Sequence, residues 1–387
     1  MTTRSLFRSL FQPLRKTNIF ILFIAALPLL VMFILIFIKP PHIYSNDLLS
    51  VAWRPGQELL STGSVNPGYP YPLWTVIVML PFSFLEKQAA MNIWLLCNLL
   101  MLALSFALLI SNFDWEVNPV LFVMTVSLAG TFLPVLSSLG LGQITILSLL
   151  ILALIIHFFL RKRWTWLGIM LGLTFIKPQV MPLLAGFLLL WALLNRRYQI
   201  LLGFGSVLFV LVAISAPFAS SPKQIIGGGI EDHLVNYIVR SSSIWGLLLN
   251  FGFSWVIPLV VSIALLLWLG WNWLPFLRGQ EHSTNHPIFL FSAAVIINLI
   301  ILPYSWIYNL VLLLLPFGYS LSLALKLKGK ARAVWQILLF LVLQPLTIIV
   351  YLVFNGYSGT QAYQIIPALV LLLMMLYLEH KVNLAAV

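Results

Sequence analysis

Long apolar runs, separated by short basic or glycine- and proline-rich breaks, set the pattern of this chain. The runs cover roughly 18–38, 71–85, 89–110, 119–136, 143–160, 164–176, 179–194, 200–218, 253–274, 287–302, 306–325, 333–354 and 363–378. Most approach the ~20 apolar residues that cross a hydrocarbon layer. None alternates every second residue as a barrel strand does, and backbone polar groups in lipid must be satisfied internally, so the runs read as helices. Two are too short. The run 164–176 spans about 20 Å at 1.5 Å per residue, turns at Lys177-Pro178 and returns through 180–194. Such a hairpin stops below the far surface. Its tip, Lys177, is expected at the floor of a polar cavity, where an ammonium requires an anion.

Composition narrows the class. Hydrophobic residues make up 61% of the 387 and charged residues 8%, far too few charges to clothe a water-soluble domain. The mean hydropathy is +1.05. The net charge of +12 comes from 21 basic and 9 acidic residues. The basic residues sit in clusters between apolar runs rather than along one face, so no nucleic-acid partner is expected. The single Cys97 forms no intrachain disulfide. The expected fold is all-α: one polytopic transmembrane bundle over 1–387, in the cell membrane.

The positive-inside rule fixes an expected topology. Arg4, Arg8, Arg15 and Lys16 precede the run 18–38, which is read as a retained anchor because it is too long for a cleaved signal and no small-residue cleavage site follows it. If 119–136 enters and leaves on one side, only Lys39, Arg54, Lys177, Lys223 and Arg240 lie outside, leaving 16 of the 21 basic residues inside. Pro119, Gly130, Pro134, Gly140 and Gly142 suit such a broken or re-entrant piece. The result is about twelve spans plus that segment, both termini cytoplasmic. The large outer loops are 39–70, 111–118 and 219–243. Asp47, Glu58, Asp114, Glu116, Glu231 and Asp232 face outward, so chemistry is expected on the outer face.

The first outer loop places Asp47 at the start of 47–60, a short helix along the membrane surface with a break at Pro55-Gly56. Asp47 is either a helix cap or a general base at the membrane boundary. Gln143, after a Gly-Leu-Gly stretch, either bonds sugar hydroxyls or satisfies the backbone of a broken helix. Tyr69, Tyr71, Trp74, Trp245, Tyr304 and Trp306 lie near the outer boundary, as belt aromatics or, in one or two cases, as sugar platforms. His42 could assist Asp47. Asp114-Trp115-Glu116 is a solvated turn or a metal pair. With no HExxH, CxxC or clustered ligand set, neither a metal nor another cofactor is predicted. Gly227-Gly228-Gly229 before Glu231-Asp232-His233 suggests a mobile outer segment and lacks the GxxxxGK[ST] spacing.

An ordered set of pieces resembles glycosyltransferase family 87, the polyprenol-phosphate-mannose-dependent mannosyltransferases and their relatives with the GT-C fold. These are Asp47 after the first span; Gly68-Tyr69-Pro70-Tyr71-Pro72-Leu73; Leu80-Pro81; Gly142-Gln143; Gly168; Lys177-Pro178-Gln179; Arg196-Arg197; Ser242-Ser243-Ile244; and Pro303-Tyr304-Ser305-Trp306-Ile307-Tyr308-Asn309. The chain departs from the family's mannosyltransferases in having Tyr308 and Asn309 where they carry histidine, and in splitting a proline pair as Pro70-Tyr71-Pro72. The resemblance implies transfer of a hexose, mannose by default, from a polyprenyl-phosphate donor to a hydroxyl acceptor on a glycan, glycolipid or protein. It implies inversion on the outer face, with Asp47 as base. Lys177, Arg54 and Arg240 are the outward cations for the leaving phosphate. Substrate contacts are expected from His42, Tyr69, Tyr71, Gln143, Tyr304, Trp306, Tyr308 and Asn309. A lipid-linked-sugar flippase or other transporter is the rival reading. It is disfavoured by the near absence of acids from the spans and of any visible internal repeat.

Overall fold

The computed structural model describes residues 46–113, 119–227, 237–279, 287–355 and 361–386. Among these residues every regular element is helical. A π-helical turn, Leu48–Trp53, leads into α1 (Arg54–Thr62). Next come α2 (Leu73–Ser83), α3 (Lys87–Asn112), α4 (Pro119–Gly130), α5 (Leu133–Leu141), α6 (Thr145–Leu160), α7 (Trp164–Leu173), α8 (Pro182–Leu194) and α9 (Tyr198–Ser215). The remainder is α10 (Pro222–Ile226), α11 (Ile244–Asn250), α12 (Val256–Leu277), α13 (Pro287–Ile301), α14 (Leu314–Lys326), α15 (Gly329–Leu341), α16 (Thr347–Val350) and α17 (Ile366–Ala386).

The exposed faces of this bundle are apolar. Leu96, Leu100 and Leu104 project from α3 at four-residue spacing, and Val260, Ile263, Leu267 and Trp271 from α12. Such stripes suit lipid and not water. Among the described residues, six helices are long and apolar enough to cross a membrane: Lys87–Asn112, Tyr198–Phe218, Val256–Leu277, Ile307–Lys326, Gly329–Phe354 and Ala362–Leu384. The protein is therefore a multi-pass membrane bundle. Its axis is α13 and the Ile307–Lys326 segment, where Ile288–Ile300 and Ile307–Leu325 are buried without interruption and the turn between them is half-buried. A helix hydrophobic on all sides belongs at such a centre.

Several sequence expectations change in detail. The run 71–85 forms only the 11-residue α2, about 16 Å long and too short to span alone. Thr145–Leu160, Pro182–Leu194 and Pro287–Ile301 are also under span length. The segment 47–60 has no break at Pro55-Gly56: the chain stays helical from the π turn through Thr62. Pro55 follows directly on the π turn, at the junction with α1, and Gly56 lies against Ser83 of α2 where a Cβ would collide. The segment 119–136 is broken, as expected, at Thr131-Phe132 between α4 and α5. The first run 18–38, His42, Asp114, Glu116, Gly228, Gly229, Glu231, Asp232 and His233 lie outside the described residues.

Two devices place the hairpin that carries Lys177. Gly168 of α7 meets the backbone of Ile200, and a Cβ on Gly203 of α9 would stand 2.6 Å from the Thr165 carbonyl, so the two helices touch backbone to backbone. At the hairpin's other end, Lys162 and Arg196 adopt left-handed φ of 55° and 56°. Each closes a helix with paired bonds: Arg163 N–H to Phe158 O with Lys162 N–H to Phe159 O, and Arg197 N–H to Ala192 O with Arg196 N–H to Leu193 O. This is the Schellman pattern, built with basic residues where glycine is usual.

Candidate active site

The Lys177 backbone leaves α7 through a 3₁₀ turn, Thr174–Ile176, and re-enters one at Pro178–Val180. Proline at 178 forbids helical continuation at Lys177, whose φ is −136° and ψ 75°. Other elements take up the freed carbonyls. Trp74 Nε1 donates to Phe175 O at 2.8 Å and Thr75 Oγ1 to Ile176 O at 3.0 Å, both from α2. Asn298 Nδ2 of α13 donates to Val180 O at 2.9 Å. The turn is thus fixed from two sides, and Lys177 is 5% exposed.

Opposite it, α5 ends at Gly142, whose left-handed φ of 68° favours the residue without a Cβ. Gln143 N–H returns to Ser138 O at 2.9 Å, and Trp94 Nε1 donates to Gly142 O at 2.8 Å. Gln143 is thereby aimed into the space beside Lys177. The Lys177 ammonium donates to Gln143 Oε1 at 3.0 Å and to Thr145 Oγ1 at 2.8 Å. It also lies 4.5 Å from the centre of the Tyr308 ring, within cation–π range.

The third wall is the π turn. Asp47 precedes it with no side-chain capping bond, which removes the cap as the reason for this carboxylate. Its Oδ2 accepts instead from Gln143 Nε2. Burial raises the Asp47 pKa above the usual carboxylate range, while the Gln143 bond and the Lys177 charge pull it back down. The cleft is lined by Asp47, Val51, Tyr71, Thr75, Gln143 and Lys177, among others. Its free interior is about the space of one water molecule, too small for a sugar in this conformation.

The tyrosines form a rim. Tyr71 shares a side-chain hydrogen bond with Tyr304 and feels the Asp47 charge; burial first, then those neighbours, raises its pKa. Tyr304, Trp306 and Tyr237 form an aromatic group with ring centres 5.6–6.4 Å apart. Tyr69 donates to Val51 O at 2.6 Å and packs on Tyr71 at 5.8 Å. Asn309 is buried behind Tyr308 in the same turn, with its Oδ1 unpartnered. The segments 241–243 and 303–307 are stitched together: Ser242 N–H donates to Ser305 O at 2.7 Å and Ser305 N–H to Ser241 Oγ at 2.8 Å.

Asp47, Lys177, Gln143, Tyr71, Tyr304 and Tyr308 therefore converge. Arg54 and Arg240 do not join them. Arg54 is exposed and lines a separate shallow hollow with Ser50, Glu58, Asn66 and Tyr69. Arg240 is exposed at the end of the short turn Ile238–Arg240. Sequence reasoning missed Thr145, which holds the Lys177 ammonium. The signal was a hydroxyl two residues after Gln143 at the mouth of a helix. It also missed Glu379, a buried carboxylate of α17 that accepts from Tyr319 Oη at 2.6 Å and anchors α17 to α14.

The fold and the cleft define a membrane-embedded helical protein with a carboxylate and an ammonium in one buried polar hollow. The chain belongs to glycosyltransferase family 87: the model of that family matches residues 69–303, more than half of the 387. The protein is a membrane glycosyltransferase. Asp47 and the 304–309 segment lie outside the matched range, and the structure brings both to the matched Gln143 and Lys177. No curated protein matches the chain.

Proposed function

We propose that the protein transfers a hexose, by preference mannose, from a polyprenyl-phosphate donor to a hydroxyl acceptor at the outer face of the membrane. The observation that carries this reading is the pairing of Asp47 and Lys177 across one cleft. An acceptor alcohol loses its proton as its oxygen attacks the anomeric carbon, and Asp47 takes that proton. The bond from the anomeric carbon to the phosphate oxygen breaks at the same time, and the leaving polyprenyl phosphate keeps the electron pair. Lys177 receives the charge that grows on that oxygen. Two of its three N–H groups are engaged, by Gln143 and Thr145; the third serves the phosphate. A single in-line displacement inverts the anomeric centre. Tyr71, Tyr304, Trp306 and Tyr308 are the surfaces for the sugar, with Tyr69 and Asn309 supporting them. Arg54 and Arg240, exposed away from the hollow, suit contact with lipid headgroups or with the outer part of the donor. The acceptor class is a glycan, glycolipid or protein hydroxyl.

The outer-face assignment is supported by charge. The basic turns at Arg161–Arg163 and Arg196–Arg197 lie at the base of the hairpin whose tip is Lys177, and Arg278 joins them, since Asn195 Nδ2 donates to Leu277 O just before it. Basic residues mark the cytoplasmic side.

The test is incubation of the purified full chain with polyprenyl-phosphate hexoses and an acceptor-containing membrane extract, read as release of polyprenyl phosphate. Asp47→Asn is expected to cut turnover by about 10²–10⁴-fold with unchanged thermal unfolding. Retention of the wild-type rate eliminates Asp47 as base.

A further inference from the structure

Opposite charges sharing a buried hollow attract strongly, yet here they do not meet. Asp47 and Lys177 each contact Gln143: the amide nitrogen donates to the carboxylate, and the amide oxygen accepts from the ammonium at 3.0 Å. The amide dipole is thus aligned between the two charges. Its backbone is fixed by Ser138 O, by the left-handed Gly142 and by the Trp94 indole. Lys177 is fixed by α2, α13 and Thr145. Asp47 stands just before the π turn, and among the described residues its carboxylate is hydrogen-bonded to Gln143 alone. It is the least anchored of the three. Without a spacer it would swing onto the ammonium, and a direct pair would occupy the lone pairs a base needs and the N–H a phosphate needs.

We propose that Gln143 is a positioning residue that holds the Asp47 carboxylate and the Lys177 ammonium apart, so that each stays available to its own half of the substrate. The inference rests on the assignment of these two groups made above. It gives Gln143 a role other than sugar binding: its nitrogen is committed to Asp47 and its oxygen to Lys177, and its side chain also interacts with Tyr308.

The experiment compares Gln143→Leu with the wild type over a pH range, using polyprenyl-phosphate mannose as donor. Among the described residues, the groups facing Asp47 are Lys177, Gln143, Tyr71, Tyr304 and Tyr308; of these only Lys177 is cationic. Collapse onto it is expected to lower turnover about 100-fold, raise the donor KM and move the acid limb of the rate profile to lower pH. In Gln143→Leu/Lys177→Met the limb is expected to return above that of the wild type, because nothing remains to collapse onto. A limb that moves upward in the single variant means Gln143 only donates a bond to the carboxylate, and overturns the spacer. So does a wild-type rate. Gln143→Met, of similar volume, is read in parallel, and its limb must move the same way. Asp47→Asn in the same assay separates the two ideas: if it stays active, the assignment of the base fails; if it is dead while Gln143→Leu is normal, only the spacer fails.

Discussion

Asp47 and Lys177 set each other's working state. Burial raises the Asp47 pKa, and the Lys177 charge opposes that rise. A base works only when ionised, so activity should fall on the acid side as pH drops through the Asp47 pKa. Removing the positive charge in Lys177→Met removes a lowering influence. The acid limb is therefore expected to shift to higher pH, together with a loss of donor turnover. A full pH–rate profile of the variant checks this, and an unmoved limb would mean the two charges are uncoupled. The sequence made Asp47 and Lys177 legible because each is an ion where few ions are tolerated: one after an apolar span, one at a hairpin tip. It set Lys177 apart by depth but could not exclude Arg54 and Arg240 as further phosphate contacts. Only the three-dimensional path of the first loop turns Arg54 away from the cleft. Nor could it decide Gln143, whose two partners are 96 and 34 residues away in the chain.

At the scale of elements, precision comes from close backbone contact. Gly168 and Gly203 let α7 and α9 touch, and α7 carries the turn to Lys177. Gly168→Val would force these helices apart, with an expected loss of about 1–3 kcal/mol and a donor KM raised by displacement of the ammonium. Unfolding in detergent and a donor titration measure both. The turn at Lys162 offers the reverse case. A φ of 55° costs a residue with a Cβ about 1–2 kcal/mol, more than the ~0.5–1 kcal/mol entropic cost of glycine, so Lys162→Gly should stabilise the folded protein, visible as a raised midpoint in thermal unfolding. In the proposed orientation, a lysine there meets a second demand, positive charge at the cytoplasmic boundary. The helical runs were readable because lipid permits little else. Their lengths were less so. Apolar residues continue past the last helical turn in α2, where Phe84 ends the helix 71% exposed, and hydropathy does not distinguish a helix end from an apolar loop. The π turn that follows Asp47 left no trace in periodicity, because six residues are too few to show a change of period.

For the whole molecule, the arrangement makes sense only with a definite orientation in the bilayer. The cleft and the basic turns lie at opposite ends of the α7–α8 hairpin. From Arg196 the chain runs up Tyr198–Phe218, about 31 Å of helix, and arrives beside the first loop: Gln224 Nε2 donates to Val65 O at 2.7 Å, and a Cβ on Gly227 would stand 2.9 Å from the Pro70 carbonyl. Ser221 thus belongs to the end of the bundle that bears the cleft, and Lys162 to the other. Both side chains are exposed, so both are open to a reagent on their own side. In a Cys97→Ala background, Ser221→Cys should react with a membrane-impermeant maleimide in intact cells, and Lys162→Cys only after permeabilisation. Labelling of both from outside would sink the hairpin that fails to cross, since Lys162 and Arg196 would no longer share the inner face. The reversed pattern would turn the cleft toward the cytoplasm, where a soluble nucleotide sugar could reach it, and a lipid-linked donor would no longer be required by location.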